Sequence, residues 1–123
     1  MKEAYTNFEV AEWILDNKRG NAFRNATLES LVHNIATEAE NKNMLHVADE
    51  DGLIGVVIFQ KDLGNKLLFI KQLLVTRHAA LVVFIEYFKM EFAGYSIAAN
   101  RNDEYVMYNT NRMLHLLEKK VRR

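Results

Sequence analysis

Three features of the sequence predict an α/β fold built on a mixed, mostly antiparallel sheet. Two stretches with helical spacing, each preceded by a Thr suited to capping, come before any strand pattern. Three runs rich in Val, Ile and Leu follow, separated only by tight turns. A long apolar stretch, Ala79–Ala93, then divides the third run from a fourth, and its length without a turn signal favours a helix. A full helix between two strands requires a crossover, so the strands on either side of it are expected to be parallel neighbours.

Composition narrows the class. At 123 residues a single domain spanning 1–123 is expected. Area scaling for this mass gives roughly 6,800 Å² exposed when folded against roughly 20,700 Å² unfolded, enough burial for a core without staples. Half the residues are hydrophobic and 26% are charged, which excludes wholesale disorder. Sixteen basic residues balance sixteen acidic ones, so no global basic field recruits nucleic acid. The absence of Cys removes disulfides, thiolate catalysis and Cys-based metal sites. The longest apolar run, Ala79 to Ile85, is far short of a membrane span. Met-Lys-Glu-Ala-Tyr at the start is no apolar signal segment, and a soluble cytoplasmic protein is expected.

The elements follow in order. Thr6 and Glu9 have capping-box spacing, with Phe8, Ala11, Ile14 and Leu15 behind them, so a helix is expected over about 7–18 with Gly20 past its end. A short strand near Glu3–Thr6 is a possible addition to the sheet. Thr27 caps a second helix over about 28–41, with Glu29 favourably placed in its first turn and Leu28, Leu31, Val32, Ile35 and Ala39 on one stripe. Met44–Ala48, Leu53–Gln60 and Lys66–Val75 form a three-strand meander, with a turn at Asp49-Glu50-Asp51-Gly52. The helix at 79–93 is apolar nearly all round, apart from Glu86 and Lys89, and is expected to pack on more than one side. Gly94 ends it, and Tyr95–Ala99 is a fourth strand. Asp103 to about Lys120 reads as a final helix, with Val106, Met113, Leu117 and Val121 on a stripe.

This layout over about residues 44–112, with Leu73-Leu74-Val75 running into a helix and Asn100 following the fourth strand, resembles the GCN5-related N-acetyltransferase (GNAT) superfamily. It is most similar to small, reduced members that tailed phages carry, some acetyltransferases and some virion proteins, and this resemblance implies a phage-associated location as the alternative to the cytoplasm. The resemblance implies a three-layer α/β/α domain that binds acetyl-CoA where a parallel strand pair splays apart. It further implies transfer of the acyl group to a primary amine on a small molecule or protein. It assigns Leu73, Leu74 and Val75 to the strand that holds the pantetheine. Arg77, His78, Ala79 and Ala80 fall at the start of the crossover helix, where the pyrophosphate sits. Asn100 matches the Asn that closes the last parallel strand. A Tyr on the last helix often protonates the leaving thiolate; the family spacing falls on Met107, with Tyr108 one residue later and Tyr105 two earlier, and Tyr108 is taken as the candidate acid.

The sequence departs from the family in stated places. The phosphate loop Gln/Arg-x-x-Gly-x-Gly/Ala is replaced by Thr76-Arg77-His78-Ala79-Ala80-Leu81, which has no Gly to turn its amides freely onto a diphosphate. No carboxylate lies between Leu63 and Ile85, so the usual base is missing. The alternative reading is therefore a catalytically inactive GNAT-fold structural or interaction module, plausibly phage-derived.

Other candidates carry bland readings beside sharp ones. Arg77 and His78 are cations for a phosphate or simply a polar turn. Asp49, Glu50 and Asp51 are a solvated turn or a source of catalytic carboxylate. Trp13 and Phe23 are core residues or the wall of an acceptor site. His33, His46 and His115 are scattered without metal-ligand spacing, and no metal is expected. Met107, Met113, Leu114, Leu116 and Leu117 suggest a homodimer or a protein partner on the final helix.

Overall fold

Thr6 opens the first helix of the computed structural model, which describes residues 5–18, 23–101 and 104–109. Its hydroxyl accepts from the Glu9 amide at 3.1 Å, and the Glu9 carboxylate accepts from the Thr6 amide at 3.1 Å. This capping box starts α1 (Asn7–Asn17). Thr27 and Ser30 make the same reciprocal pair, at 3.2 and 3.0 Å, ahead of α2 (Leu28–Glu40), which carries Glu29 in its first turn. The strands β1 (Met44–Asp49), β2 (Gly52–Asp62) and β3 (Leu67–Val75) form the expected meander. α3 (His78–Glu91) crosses over to β4 (Ser96–Arg101), which lies parallel to β3, and β5 (Glu104–Asn109) closes an antiparallel hairpin. The five-stranded sheet runs in the order β1-β2-β3-β4-β5.

Alternation along β2 divides the core in two. Val56 and Ile58 join Leu53 and Leu74 against Val10, Ala11, Ile14, Leu31 and Ile35 of α1 and α2. Val57 and Phe59 join Ile54, Leu68 and Ile97 against Ala80, Leu81, Phe84, Ile85 and Phe88 of α3. The helices therefore cover opposite faces of the sheet, as the period-two pattern of a doubly buried strand requires. Aromatic packing closes the far end of α3: the Phe59 ring lies 5.4 Å from Phe88 and 5.9 Å from Phe92, each edge to face.

Gly55 sets how closely α3 approaches. A Cβ at this position would lie 2.6 Å from the Ala80 Cβ and 3.2 Å from Phe84 and Val75. Glycine here is a matter of space: it lets the first turn of α3 rest on the backbone of β2.

Four expectations change. The helix over 103–120 is wrong where it can be compared, because Glu104–Asn109 is a strand paired with β4. Tyr105, Val106 and Tyr108 favour a strand, and pairing with β4 outweighs the helical stripe projected back from Met113. The rest of that stretch, with Met113, Leu114, Leu116 and Leu117, lies outside the described residues, as do Gly20 and His115. Of the strand near Glu3–Thr6, only Tyr5 and Thr6 are described, and neither is in a strand; Thr6 is a cap. Among the described residues α3 packs through one face, leaving Val82, Val83 and Met90 exposed. On α1 the buried stripe runs through Val10, Ala11 and Ile14, with Phe8 exposed. No helix among the described residues is long and apolar enough to cross a membrane.

Gly55→Ala should destabilise the fold by about 1–3 kcal/mol, the usual cost of overpacking, and lower Tm by several degrees. Adding Ala80→Gly removes the opposing methyl and should recover part of the loss, less the roughly 1 kcal/mol that Gly costs inside a helix. Thermal denaturation of the single and double variants checks this; equal Tm for Gly55→Ala and the parent would contradict it.

Candidate functional site

The end of β3, the start of α3 and the tip of the β1–β2 turn meet at one end of the sheet. Two β-bulges bring them there. Between β2 and β3, Ile58 pairs with Gln72 and Phe59 with Ile70, so Lys71 is an extra residue in β3. Between β1 and β2, Val47 pairs with Gly55 and Ala48 with Leu53, so Ile54 is extra in β2. A bulge bends its strand and sharpens the local twist.

The Lys71 bulge coincides with the end of the parallel ladder. β3 and β4 pair from Leu67↔Ser96 to Ile70↔Ala99 and no further. β3 then runs on to Val75 and β4 to Arg101. Beyond Ile70 and Ala99 the two strands are no longer paired. Leu73 and Val75 lie on the α3 side of the sheet and Leu74 on the α1–α2 side. Asn100 is the first residue of β4 past the ladder, at the register position opposite Tyr105.

The Ile54 bulge anchors the junction into α3. Its carbonyl accepts the Thr76 amide at 2.9 Å and the Thr76 hydroxyl at 3.3 Å. Arg77 is the N-cap of α3, in extended backbone conformation, with no side chain capping the helix. His78 and Ala79 occupy the exposed first positions, whereas Ala80 is buried on Gly55 and its amide donates to the Arg77 carbonyl at 3.1 Å. Helix starts of this kind leave outward amides and a partial positive charge.

Arg77 does not reach out from this junction. Its Nη1 donates to Asp49 Oδ2 at 2.6 Å and its Nη2 to Asp51 Oδ2 at 3.0 Å. The guanidinium thus spans the two carboxylates of the β1–β2 turn, and Asp51 is itself turned by its amide donating to Asp49 Oδ1 at 2.8 Å. All three side chains retain solvent contact, at 53% for Arg77, 27% for Asp49 and 75% for Asp51.

On the other face, the bulge is held from α2 and the preceding loop. Lys71 Nζ stands 3.6 Å from Glu38 Oε1. Gln72 Oε1 accepts the Phe23 amide at 2.9 Å. Phe23 has φ 55, an uncommon conformation for a bulky residue, and it is sustained by that bond and by burial in the α1–α2 core. Trp13 packs half-buried on the same core.

The expected site residues are thus divided. Leu73, Leu74, Val75, Arg77, His78, Ala79 and Ala80 form one continuous junction, and Asn100 lies on β4 just past its last paired position with β3. Tyr108 does not join them: it pairs with Ile97, which pairs with Leu68, placing it about 20 Å along the sheet from Val75 at the usual strand rise. His33 and His46 stand apart on α2 and β1. Partial burial lowers the His46 pKa from its ordinary value, and its ring meets Tyr5 edge to face at 6.2 Å. Sequence reasoning missed Gln72, Thr76 and the pairing of Arg77 with Asp49 and Asp51. It also passed over Gly55, a lone Gly within a Val- and Ile-rich strand, which is a readable sign of close backbone approach.

Compared with known proteins, the chain matches no family model, and it finds no significant match among curated proteins or solved structures.

Because these ion pairs are exposed, their coupling should be small. A double-mutant cycle on Arg77→Ala and Asp49→Ala should give at most about 1 kcal/mol, falling in 1 M salt, where screening acts within about 3 Å. A salt-insensitive coupling above about 2 kcal/mol would show that the fork is a structural keystone.

Proposed function

We propose that the chain binds acyl-CoA beyond the end of the β3–β4 ladder and transfers the acyl group to a primary amine, in the manner of the N-acetyltransferases it resembles. The observation that carries this reading is the parallel ladder ending at Ile70 and Ala99, beside the Lys71 bulge, with a crossover helix starting just past Val75. An extended pantetheine arm would lie along Leu73–Val75. The amides of His78 and Ala79, uncapped by any side chain, are donors suited to the diphosphate.

In the transfer, the amine nitrogen attacks the thioester carbonyl carbon. A C–N bond forms, the C–S bond breaks, and the sulfur leaves as thiolate. The amine loses a proton to water and the thiolate gains one from water: no carboxylate lies between Leu63 and Ile85, Asp49 and Asp51 are engaged by Arg77, and Tyr108 pairs with Ile97 farther along the sheet. Positioning of the two reactants is then the chief contribution of the protein.

A second reading has its own observation. The fork of Arg77 on Asp49 and Asp51, together with the Gly-free loop, favours a fold retained as an inactive structural or interaction module, in a phage particle or against a host protein.

Acetyl-CoA at a hundredfold excess over Kd should stabilise the protein by about 2.7 kcal/mol, a rise of several degrees in Tm. Thiol release with a panel of primary amines then separates the readings. A Tm shift with thiol release supports the acyltransferase, and a shift without it supports a silent binding module. A flat Tm at millimolar acetyl-CoA would overturn the CoA reading.

A further inference from the structure

We propose that the outward face of α3 is a docking surface for a second copy of this chain, in an antiparallel, two-fold pairing. This stands apart from the acyl-CoA reading and does not depend on it. Opposite the residues that α3 buries, Val82, Val83, Glu86, Lys89 and Met90 are all exposed. They recur at helical spacing and so share one stripe. Val82 is 41% exposed, Val83 48% and Met90 78%. Helix formation does not favour Val at exposed positions, since a β-branched side chain loses freedom there. Met adapts readily to an opposing surface. Single apolar residues scattered over a surface are ordinary, whereas these three lie together on one stripe, around two charges.

The charges decide the occupant. Glu86 and Lys89 have opposite sign and stand three residues apart within the stripe. A second copy laid parallel would set Glu86 on Glu86 and Lys89 on Lys89. Laid antiparallel, with the two-fold axis level with Tyr87 and Phe88, it sets Glu86 of one copy opposite Lys89 of the other, and does so twice, since an isologous contact is made in both directions. At about 1.5 Å of rise per residue, Met90 of each copy then lies within about 5 Å along the axis of Val82 and Val83 of the other. The apolar residues thus meet in the register that also matches the charges, and that match favours this chain over an unrelated helix. Lys89 has a contact within its own chain, and an exposed ion pair exchanges one partner for another at little cost. The stripe is narrow, so the association is weak and concentration-dependent.

Sedimentation equilibrium of the whole chain, from low micromolar to millimolar protein, tests the proposal. The parent should be monomeric at the low end and dimeric at the high end. Glu86→Lys and Lys89→Glu should each weaken the dimer by about two- to thirtyfold, the factor that two exposed ion pairs are worth. An equimolar mixture of these two variants should recover association like that of the parent, because each supplies the charge that the other lacks. The double variant Glu86→Lys/Lys89→Glu, with the charges exchanged, should also associate like the parent. Val83→Ser, an uncharged change on the same stripe, should weaken the dimer. All these positions are exposed, so the monomer should keep its fold, which circular dichroism at low micromolar concentration checks. Should a single charge variant fail to fold, the double variant and Val83→Ser carry the test.

A parent that stays monomeric at millimolar concentration would overturn the proposal. So would a dimer that Glu86→Lys, Lys89→Glu and Val83→Ser all leave intact, since the contact would then lie on another surface. A mixture of the two charge variants that associates no better than either alone would overturn the antiparallel pairing, and the proposal with it. None of these outcomes involves acetyl-CoA, so failure here and failure of the acyl-CoA reading are seen separately.

Discussion

The approach of α3 to β2 at Gly55 is the constraint on which the rest of this end of the sheet depends. With no side chain on Gly55, the Ala80 methyl settles where a Cβ would be only 2.6 Å away. That seating fixes the first turn of α3 and carries Thr76 to the bulged carbonyl of Ile54. Arg77 then falls within reach of the β1–β2 turn, where Asp49 and Asp51 take its two outer nitrogens. A packing contact buried in the α3 core and an exposed ion-pair fork thus meet at one helix start.

The two bulges do complementary things. Ile54 shifts the register of β2 against β1 while its carbonyl remains satisfied, so the bend leaves that acceptor paired. Lys71 bends β3 where its pairing with β4 stops, and the bend is braced from α2 and the loop before it through Glu38 and the Phe23 amide. The strand ends beyond the β3–β4 ladder are thus supported on both faces of the sheet, the arrangement expected of a site built on rigid elements. The cost is local strain, visible in the left-handed backbone of Phe23.

Much of the fold was legible because local signals agreed with one another. Thr6 with Glu9, and Thr27 before Leu28, marked both early helices, and Gly52 and Gly94, both at positive φ, fell where turns were expected. The length of Ala79–Ala93 revealed the crossover, and with it the parallel pair. The misreading of Glu104–Asn109 came from extending a helical stripe into a segment whose structure is set by pairing with β4, a nonlocal contact that periodicity does not carry. The candidate site was readable as a location, since Leu73–Val75 and Arg77 lie together in sequence. Its chemistry was not. Asp49 and Asp51 sit 28 and 26 residues from Arg77, and nothing in a solvated Asp-Glu-Asp turn announces a partner that distant. The Lys71 bulge left no mark either, because Lys and Gln in a strand read equally well as surface positions.

Residue-resolved amide shifts on titration with acetyl-CoA test the central claim most directly, that the ligand binds between β3 and β4 beyond Ile70 and Ala99. Binding there should move the amides of Leu73 to Ala80 and of Asn100 most, and leave Tyr108, far along the sheet, nearly still. Saturating binding that leaves Leu73–Ala80 unmoved, or no shifts at millimolar acetyl-CoA, would contradict it.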